Sequence, residues 1–331
     1  MTPGLDRAGL LRTAVGAALA GGVKFPQNHP SWRFVFINHA LTNPFFIPAK
    51  YGSYDAAGLV GVTAEWTGST SSDVGDMVRA MRHAIERRVD GIAVSIIDPQ
   101  AFNGPTALAL ERGIPVVSYN ADGGKGNERL AYFGQDNYQS GLELGARLVK
   151  LVEKGNVYLF IATPRQLNIQ PRVDGALDAI RDSGRPIVAH VVATGVDVGQ
   201  EAKRIEATYL RNKDARGLFA VDAGSTAGVA ATMRKYGLHA QGVRAGGYDL
   251  LPATLRAIAD GDLDFAIDQQ PYLQGFLPVV QLFLNRYSGM LVHPAETNTG
   301  LNFVTAANVA RYLDTKSRFE GSSAVERYPV G

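Results

Sequence analysis

The chain has 331 residues, 46% hydrophobic and 19% charged, which is ordinary for a soluble globular protein and long enough for two domains. Its 33 Lys and Arg against 31 Asp and Glu leave a net charge of +2, which disfavours an extended phosphate-binding surface. The absence of cysteine excludes disulfides, thiolate catalysis and zinc–cysteine sites. It leaves the compartment open, because exported proteins can also lack disulfides.

Residues 1–30 are interpreted as a leader. Arg7 and Arg12 outweigh Asp6, and a run of small and apolar residues at 13–23 contains an A-x-A pattern at 18–20. This arrangement is typical of a short export signal, so we expect an exported protein. The alternative is an amphipathic or disordered leader on a cytoplasmic protein. The apolar run is too short to span a bilayer.

Short apolar runs alternate with helix-period segments from Trp32 onward. The predicted strands are 33–37, 62–66, 91–96, 115–119, 131–133, 157–161, 187–192, 217–221, 243–248 and 265–267. The predicted helices are 72–88, 137–154, 172–182, 200–211, 226–236 and 274–287. This alternation predicts parallel sheets covered by helices on both faces. So many strands fit two sheets better than one, and the glycine-rich stretch 121–127 suggests a break between them.

The first predicted strand leads into Asn43, Pro44, Phe45 and Phe46. An amide can hydrogen-bond the hydroxyl groups of a sugar, and flat apolar rings can cover its C–H faces. The segment therefore predicts one wall of a sugar pocket. The alternative is that Asn43 caps a helix and that the two phenylalanines belong to the core.

Polar side chains follow most of the predicted strands. They are Asn38, His39, Asn43, Asp98, Asn120, Asn168, Arg172, Asp197, Asp222, Asp249 and Gln269. Ligands of open α/β sheets bind beyond the carboxyl ends of the strands, so we expect these side chains to surround a site. Each one taken singly could instead cap the following helix, and Asp222 and Asp249 fit that alternative well.

Arg172 follows Asn168 by four residues, so the two share a helix face if the helix starts near Asn168. A guanidinium offers several planar donors to hydroxyl and ring oxygens. The alternative is a surface arginine that pairs with Asp174 or Asp178. His39 is interpreted as a hydrogen-bonding wall or loop residue rather than a general base.

No catalytic pattern was found. The chain has no phosphate-binding G-x-x-x-x-G-K-[ST] loop and no G-x-G-x-x-G after a strand. Ser225 stands one position early for a nucleophile elbow, and the six histidines have no metal-ligand spacing. We therefore expect no enzymatic activity, no cofactor and no metal, although a hydrolase with paired carboxylates is not excluded.

The segment 42–46 resembles the first-strand motif of the periplasmic sugar-binding proteins of ABC transporters, in particular the ribose-binding group. In that group the asparagine and both phenylalanines contact the sugar. The resemblance extends from about Phe34 to about Gly300, through segments 113–120, 135–137, 172–175, 219–222, 247–249 and 268–271. It places Asn120, Arg172, Asp222, Asp249 and Gln269 at ligand positions.

The resemblance implies a type 1 periplasmic binding fold, with two doubly wound parallel-sheet lobes joined by a hinge of three crossings. Lobe 1 would hold residues 31–134 and 270–300, and lobe 2 would hold 135–269 and 301–331. It also implies a monomer that delivers a monosaccharide or sugar alcohol to a membrane permease, without nucleic acid. Pentose, hexose, deoxysugar and sugar alcohol all stay open as ligands.

Two departures from the family pattern bear on the ligand. Asn120 and Ala121 stand where the ribose binders have Asp-Arg, which disfavours ribose itself, and the family's second-lobe aromatic falls near Val196. The calcium loop of the glucose and galactose binders is not evident.

Two rival functions share this kind of fold. One is a sugar-sensing effector domain of the lactose-repressor type, although about thirty residues before the first strand cannot hold its DNA-binding headpiece. The other is an α/β enzyme that acts on sugars.

Overall fold

The computed structural model describes residues 28–289, 291 and 295–313. The proposed cleavage site at 18–20 and the C-terminal residues 314–331 lie outside the described residues. Within them, no helix combines the length and the apolar character needed to cross a bilayer.

The described residues form two six-stranded sheets. In order across the first sheet the strands are β11 (Glu296–Asn298), β5 (Ala131–Gly134), β4 (Val116–Tyr119), β3 (Gly91–Val94), β1 (Arg33–Asn38) and β2 (Thr63–Gly68). In order across the second they are β12 (Asn302–Val304), β10 (Phe265–Asp268), β9 (Arg244–Tyr248), β8 (Gly217–Ala220), β6 (Gly155–Ile161) and β7 (Ile187–Ala193). Neighbouring strands are parallel except β12, which runs antiparallel to β10.

Helices cover both faces of each sheet. They are α1 (Ile47–Val60), α2 (Val74–Glu86), α3 (Asn103–Glu111), α4 (Asn137–Leu151), α5 (Gln170–Asp182), α6 (Val198–Arg211), α7 (Ala223–Tyr236), α8 (Pro252–Ala259), α9 (Pro271–Ser288) and the short α10 (Ala310–Leu313). Four apolar clusters, two to each sheet, form the core. The central strands β3, β4 and β8 are buried along their whole length, as parallel strands between helices require.

The chain passes between the two sheets three times. It leaves the first sheet after β5, returns after β10 to place α9 and β11 there, and leaves again to form β12. The predicted two-lobed parallel α/β fold with a three-crossing hinge is therefore confirmed. We call the two halves the first and second lobes; the exact boundaries given above stay a prediction.

Two expectations from the sequence are wrong. The glycine-rich stretch 121–127 does not separate the sheets, because it connects β4 and β5 within the first sheet. Asn168 does not share a helix face with Arg172, because α5 begins only at Gln170 and Asn168 lies in the preceding turn.

Candidate functional site: the cleft between the lobes

The residues that follow the strands of the two sheets meet between the lobes. A cavity of about 430 Å³ is lined by His39, Thr42 and Asn43 from the first lobe. The second lobe lines it with residues that include Asn168 and Asp222. The site is therefore assembled from both halves of the chain, as the rule for ligands at the carboxyl ends of parallel strands predicts.

The two lobes are in direct contact at this cleft. The main-chain N–H of Leu167 donates to the carbonyl of Ile97 over 3.1 Å, and His39 Nε2 lies 3.4 Å from Asn168 Nδ2. Ala223 and Leu251 of the second lobe pack in the same apolar cluster as the phenylalanines of the first. These contacts describe a closed arrangement of the lobes.

Asn43 lines the cavity, and Phe45 and Phe46 follow it in a short turn. Asn43 Oδ1 accepts from the main-chain N–H of Phe45 over 2.9 Å, so the residue does cap the short 3₁₀ turn Pro44–Phe46. Phe45 and Phe46 are nearly buried and meet edge to face at 4.8 Å. The capping alternative therefore holds for Asn43, and both phenylalanines belong to an apolar core cluster, while their role as a sugar-facing wall stays a prediction.

Arg172 is buried rather than on the surface, with only 2% of its area exposed. Its Nε donates to Asn137 Oδ1 over 3.0 Å and one terminal nitrogen donates to the carbonyl of Val221 over 2.9 Å. The guanidinium also lies 4.2 Å from the ring centre of Tyr248. The alternative of a surface pair with Asp174 or Asp178 is wrong. A guanidinium has five N–H donors, so these two acceptors leave it capacity for a ligand.

Asn120 and Asp249 occupy matching positions in the two lobes. Each follows a buried tyrosine that ends a central strand, Tyr119 in β4 and Tyr248 in β9. Each also has a left-handed backbone, with φ of 62° and 70°. Left-handed non-glycine residues are strained and concentrate at functional sites. Asp249 is not a helix cap, because Leu251 holds that position in α8.

A chain of buried amides joins these two positions across the hinge. Asn120 Nδ2 donates to Gln274 Oε1 over 3.1 Å, and Gln274 Nε2 donates to Gln269 Oε1 over 3.0 Å. Gln269 Nε2 in turn donates to Asp249 Oδ1 over 2.8 Å. Gln269 therefore reaches the site from a hinge crossing, where the sequence placed it.

The environment of Asp249 changes its protonation. Burial raises the pKa of Asp249 to about 7, and the nearby Arg172 guanidinium limits that rise. A carboxyl that titrates near neutrality inside a cleft is a frequent property of functional sites.

Asp222 caps α7 and lines the cavity as well. Its carboxylate accepts from the N–H groups of Ser225 and Ala162, both over 2.8 Å. Burial raises the pKa of Asp222, and burial together with Asp222 raises the pKa of Glu201 to about 9. Glu201 therefore carries a proton at neutral pH and donates it toward Asp222.

His39 is a neutral wall residue. Its Nδ1 lies 2.9 Å from Ser95 Oγ, and its ring meets the edge of Phe46 at 5.2 Å. Burial lowers the pKa of His39 to about 4, so the imidazole is uncharged at neutral pH.

Four of the ten predicted residues line the cavity: His39, Asn43, Asn168 and Asp222. Phe45 and Phe46 adjoin Asn43 and His39, whereas Asn120, Gln269, Asp249 and Arg172 form a second group around the hinge amides. The ligand role of all ten stays a prediction. Among the described residues, Oδ1 of Asn120 and Oδ1 of Asn168 are buried without a protein hydrogen-bond partner. Two orphan acceptors, two carboxyl groups, one guanidinium and flat rings suit a neutral ligand with many hydroxyl groups.

Trp66, Tyr119 and Gln274 contact predicted site residues but were not singled out from the sequence. Trp66 lies 4.7 Å from Phe36 in a stacked arrangement and 5.8 Å from Tyr119, and Tyr119 Oη accepts from Asn38 Nδ2 over 2.8 Å. Gln274 links Asn120 to Gln269. Trp66 comes near the end of a predicted strand and could have been found by the strand-end rule. Gln274 lies inside a helix, so no sequence signal marks it.

The chain matches a family model described as periplasmic binding protein domain over residues 34–284. It is 46% identical over 334 residues to the xylose/arabinose-binding protein XylF of Sulfolobus acidocaldarius, an alignment that covers 94% of this chain and 82% of the relative.

Solved structures of solute-binding proteins superpose on most of the chain. An ABC transporter solute-binding protein of Burkholderia graminis in complex with D-arabinose has a TM-score of 0.80 and 25% identity, over 87% of this chain and 99% of that one. A carbohydrate transporter protein of Acidothermus cellulolyticus in complex with myo-inositol has a TM-score of 0.76 and 26% identity, over 86% and 97%.

These relatives are binding proteins, which hold their ligands without chemical change. With its family match over most of the described residues and its two-lobed fold, the chain belongs to the type 1 periplasmic sugar-binding proteins and is not an enzyme.

Proposed function

We propose that the chain is the solute-binding protein of an ABC importer and that it carries a monosaccharide or sugar alcohol between its two lobes to a membrane permease. The observation that carries the proposal is the cavity between the lobes, which is lined by His39, Asn43, Asn168 and Asp222 and borders the buried, unpaired Oδ1 of Asn168. A ligand held there contacts both lobes at once, so its binding favours the closed arrangement.

Within this class we propose a pentose as the ligand. The relative at 46% identity is named for xylose and arabinose, and one superposed structure holds D-arabinose. The neutral Asn120 and the adjacent Ala121 make the site less charged than the Asp-Arg of the ribose binders, in agreement with a pentose other than ribose.

The ten site residues have separate roles in this proposal. Phe45 and Phe46 cover the C–H faces of the sugar, since aromatic rings pack well on flat apolar surfaces. The guanidinium of Arg172 donates to hydroxyl or ring oxygens, and Asp249 and Asp222 accept from hydroxyl groups. Asn43, His39, Asn120, Asn168 and Gln269 complete the hydrogen bonds.

The cellular setting belongs to the same proposal. An importer's binding protein works outside the cytoplasm, so we propose that the chain is exported. We also propose that it acts as a monomer, with one lobe at 31–134 and 270–300 and the other at 135–269 and 301–331. Cell fractionation with detection of the chain tests the location, and recovery in the cytoplasm alone would contradict it.

A thermal-shift screen tests the ligand class. The panel holds D-xylose, L-arabinose, D-arabinose, D-ribose, D-glucose and myo-inositol, because a ligand that binds only the native state raises its melting temperature. We expect the largest rise with xylose or arabinose and a smaller one with ribose. No rise with any sugar or polyol would overturn the proposed function.

A further inference from the structure

We propose that Gln274 is a positioning residue that fixes the orientation of the Asn120 amide, so that the unpaired Oδ1 of Asn120 is the atom left to accept from the ligand. This inference rests on the proposed sugar-binding function. The ligand must then present a hydroxyl donor, rather than an ether or carbonyl oxygen, to Asn120 Oδ1.

The Gln274 amide is oriented by a group that can only accept hydrogen bonds. The main-chain carbonyl of Gln269 can only accept, and it lies 3.2 Å from Gln274 Nε2. It also accepts from the Thr299 hydroxyl over 2.8 Å. The side-chain oxygen of Gln269 is a further acceptor, 3.0 Å from Gln274 Nε2. The side-chain group of Gln274 that faces Gln269 must therefore be the NH₂ group.

The Gln274 amide in turn orients the amide of Asn120. With Nε2 turned toward Gln269, the Oε1 of Gln274 faces Asn120 and requires a donor. Nδ2 of Asn120 supplies it over 3.1 Å. Gln274 is fully buried and Asn120 is 3% exposed, so neither water nor rotation easily replaces this bond. The remaining atom, Asn120 Oδ1, is buried without a protein partner among the described residues.

The consequence is an amide that behaves toward the ligand like one oxygen of a carboxylate, but without charge. An aspartate at position 120 would bring its second oxygen against Gln274 Oε1, two acceptors face to face. The same chain also orients Gln269, whose Nε2 is left to donate to Asp249 Oδ1 over 2.8 Å. One glutamine thus sets the hydrogen-bonding direction at matching positions in both lobes.

The test compares D-xylose with D-xylose carrying fluorine in place of each hydroxyl in turn, using calorimetry on the full chain. Fluorine keeps the size of a hydroxyl group but cannot donate. In the wild-type protein we expect one analogue to bind about tenfold more weakly or worse, because Asn120 Oδ1 is then left unpaired. The variant Asn120→Ala identifies that position, since its penalty should disappear there.

The variant Gln274→Leu should relax this selectivity. The Asn120 amide can then rotate, and we expect the penalty for the same analogue to fall to about threefold or less. The matched control is Gln281→Leu, which removes another buried glutamine from α9. Gln281 Nε2 donates to the carbonyl of Leu291 over 2.6 Å, away from the cleft. Its loss should lower stability and leave the fluorine penalty unchanged.

The conservative variant Gln274→Glu gives a second readout. A protonated glutamic acid can donate to the Gln269 carbonyl and accept from Asn120, but an ionised one cannot donate. Relative to wild type at each pH, its xylose affinity should therefore approach the wild-type value in acid and fall as the pH rises. A purely structural defect would give a deficit that is constant with pH.

The assignment would be overturned if Gln274→Leu left the fluorine penalty unchanged, or if Gln281→Leu removed the penalty as well. It would also be overturned if Asn120→Ala removed the penalty at no position of the sugar. If the wild-type protein binds no pentose, the proposal of a pentose ligand is wrong, and the orientation of the Asn120 amide is tested by NMR instead. The Nδ2 protons of Asn120 should then exchange slowly with solvent in wild type and in Gln281→Leu, and quickly in Gln274→Leu. Equal exchange in all three proteins would contradict it.

Discussion

Arg172 is a buried guanidinium with few protein partners. It is 2% exposed and, among the described residues, makes two hydrogen bonds and one contact with an aromatic ring, but no ion pair. A buried charge with few partners is costly, and a ligand oxygen lowers that cost. Affinity should therefore depend strongly on Arg172.

We expect Arg172→Lys to weaken D-xylose binding by at least about tenfold in calorimetry, because an ammonium cannot reproduce several planar donors at once. The control is Arg147→Lys. Arg147 also lies on an aromatic face, 4.5 Å from the ring centre of Phe303, but on α4 away from the cleft. Equal loss of affinity in both variants would mean that Arg172 acts through stability alone.

Asp249 should make binding depend on pH. Burial raises its pKa to about 7. Sugar hydroxyl groups donate to the ionised carboxylate, so the ligand favours the deprotonated form. Affinity should therefore fall as the pH drops below about 7, by at most about tenfold per pH unit.

Calorimetry of the wild type and of Asp249→Asn at about pH 5 and about pH 8 measures this dependence. The variant should bind more weakly at the higher pH and show a smaller slope. A slope as steep as that of the wild type would assign the titration to another group, such as Asp222.

At the scale of elements, the apolar and β-branched runs located β1 to β10. Most of these strands lie between two helix layers and are buried and apolar, whereas the edge strands β2 and β7 are only partly buried. The sequence did not reveal β11 and β12, since Glu296–Asn298 and Asn302–Val304 are three-residue edge strands with no periodicity. Helices α1, α3 and α8 were not predicted either. Helix α1 is buried on most sides, so its apolar residues show no single face. Candidate site residues could be predicted because strand ends are local in sequence, whereas the amide that bonds Asn120 Nδ2 lies in a distant helix.

Close packing of α4 against α5 positions Arg172, and sequence periodicity could not show it. A Cβ added to Gly141 would collide with the main-chain carbonyl of Arg172, and one added to Gly175 would collide with that of Tyr138. The two glycines let the helix backbones touch, which brings Arg172 Nε within 3.0 Å of Asn137 Oδ1.

Helix α6 contributes a buried carboxyl that should lower stability at alkaline pH. Burial and Asp222 raise the pKa of Glu201 to about 9. At pH values between the ordinary glutamate pKa and about 9, the folded protein therefore holds a proton on Glu201 that the unfolded chain releases. Stability therefore falls as the pH rises through this window. Glu201→Gln imitates the protonated form and should melt at least about 2 °C higher than wild type at about pH 8.

Thermal unfolding of both proteins at about pH 5 and about pH 8 checks this, and the advantage of the variant should shrink in acid. Glu206→Gln is the control on the same helix. The Lys235 ammonium and the Tyr236 hydroxyl lower the pKa of Glu206, so its replacement should gain nothing at the higher pH. An equal gain in both variants would contradict the assignment.

At the scale of the whole molecule, we propose that a sugar holds the two lobes closed. The contacts of Ile97 with Leu167 and of His39 with Asn168 exist only when the lobes meet. The three hinge crossings leave the lobes able to rotate about a shared edge. Closure therefore links the residue-scale contacts to delivery of the ligand to a permease.

Distances between spin labels test this claim most directly, and the absence of cysteine makes specific labelling simple. The reporting pair is Thr70→Cys with Val198→Cys, on opposite lobes beside the cavity, and Thr70→Cys with Arg82→Cys serves as a pair within the first lobe. We predict that D-xylose shortens the cross-lobe distance and leaves the control distance unchanged. A sugar that binds without shortening the cross-lobe distance would contradict the account.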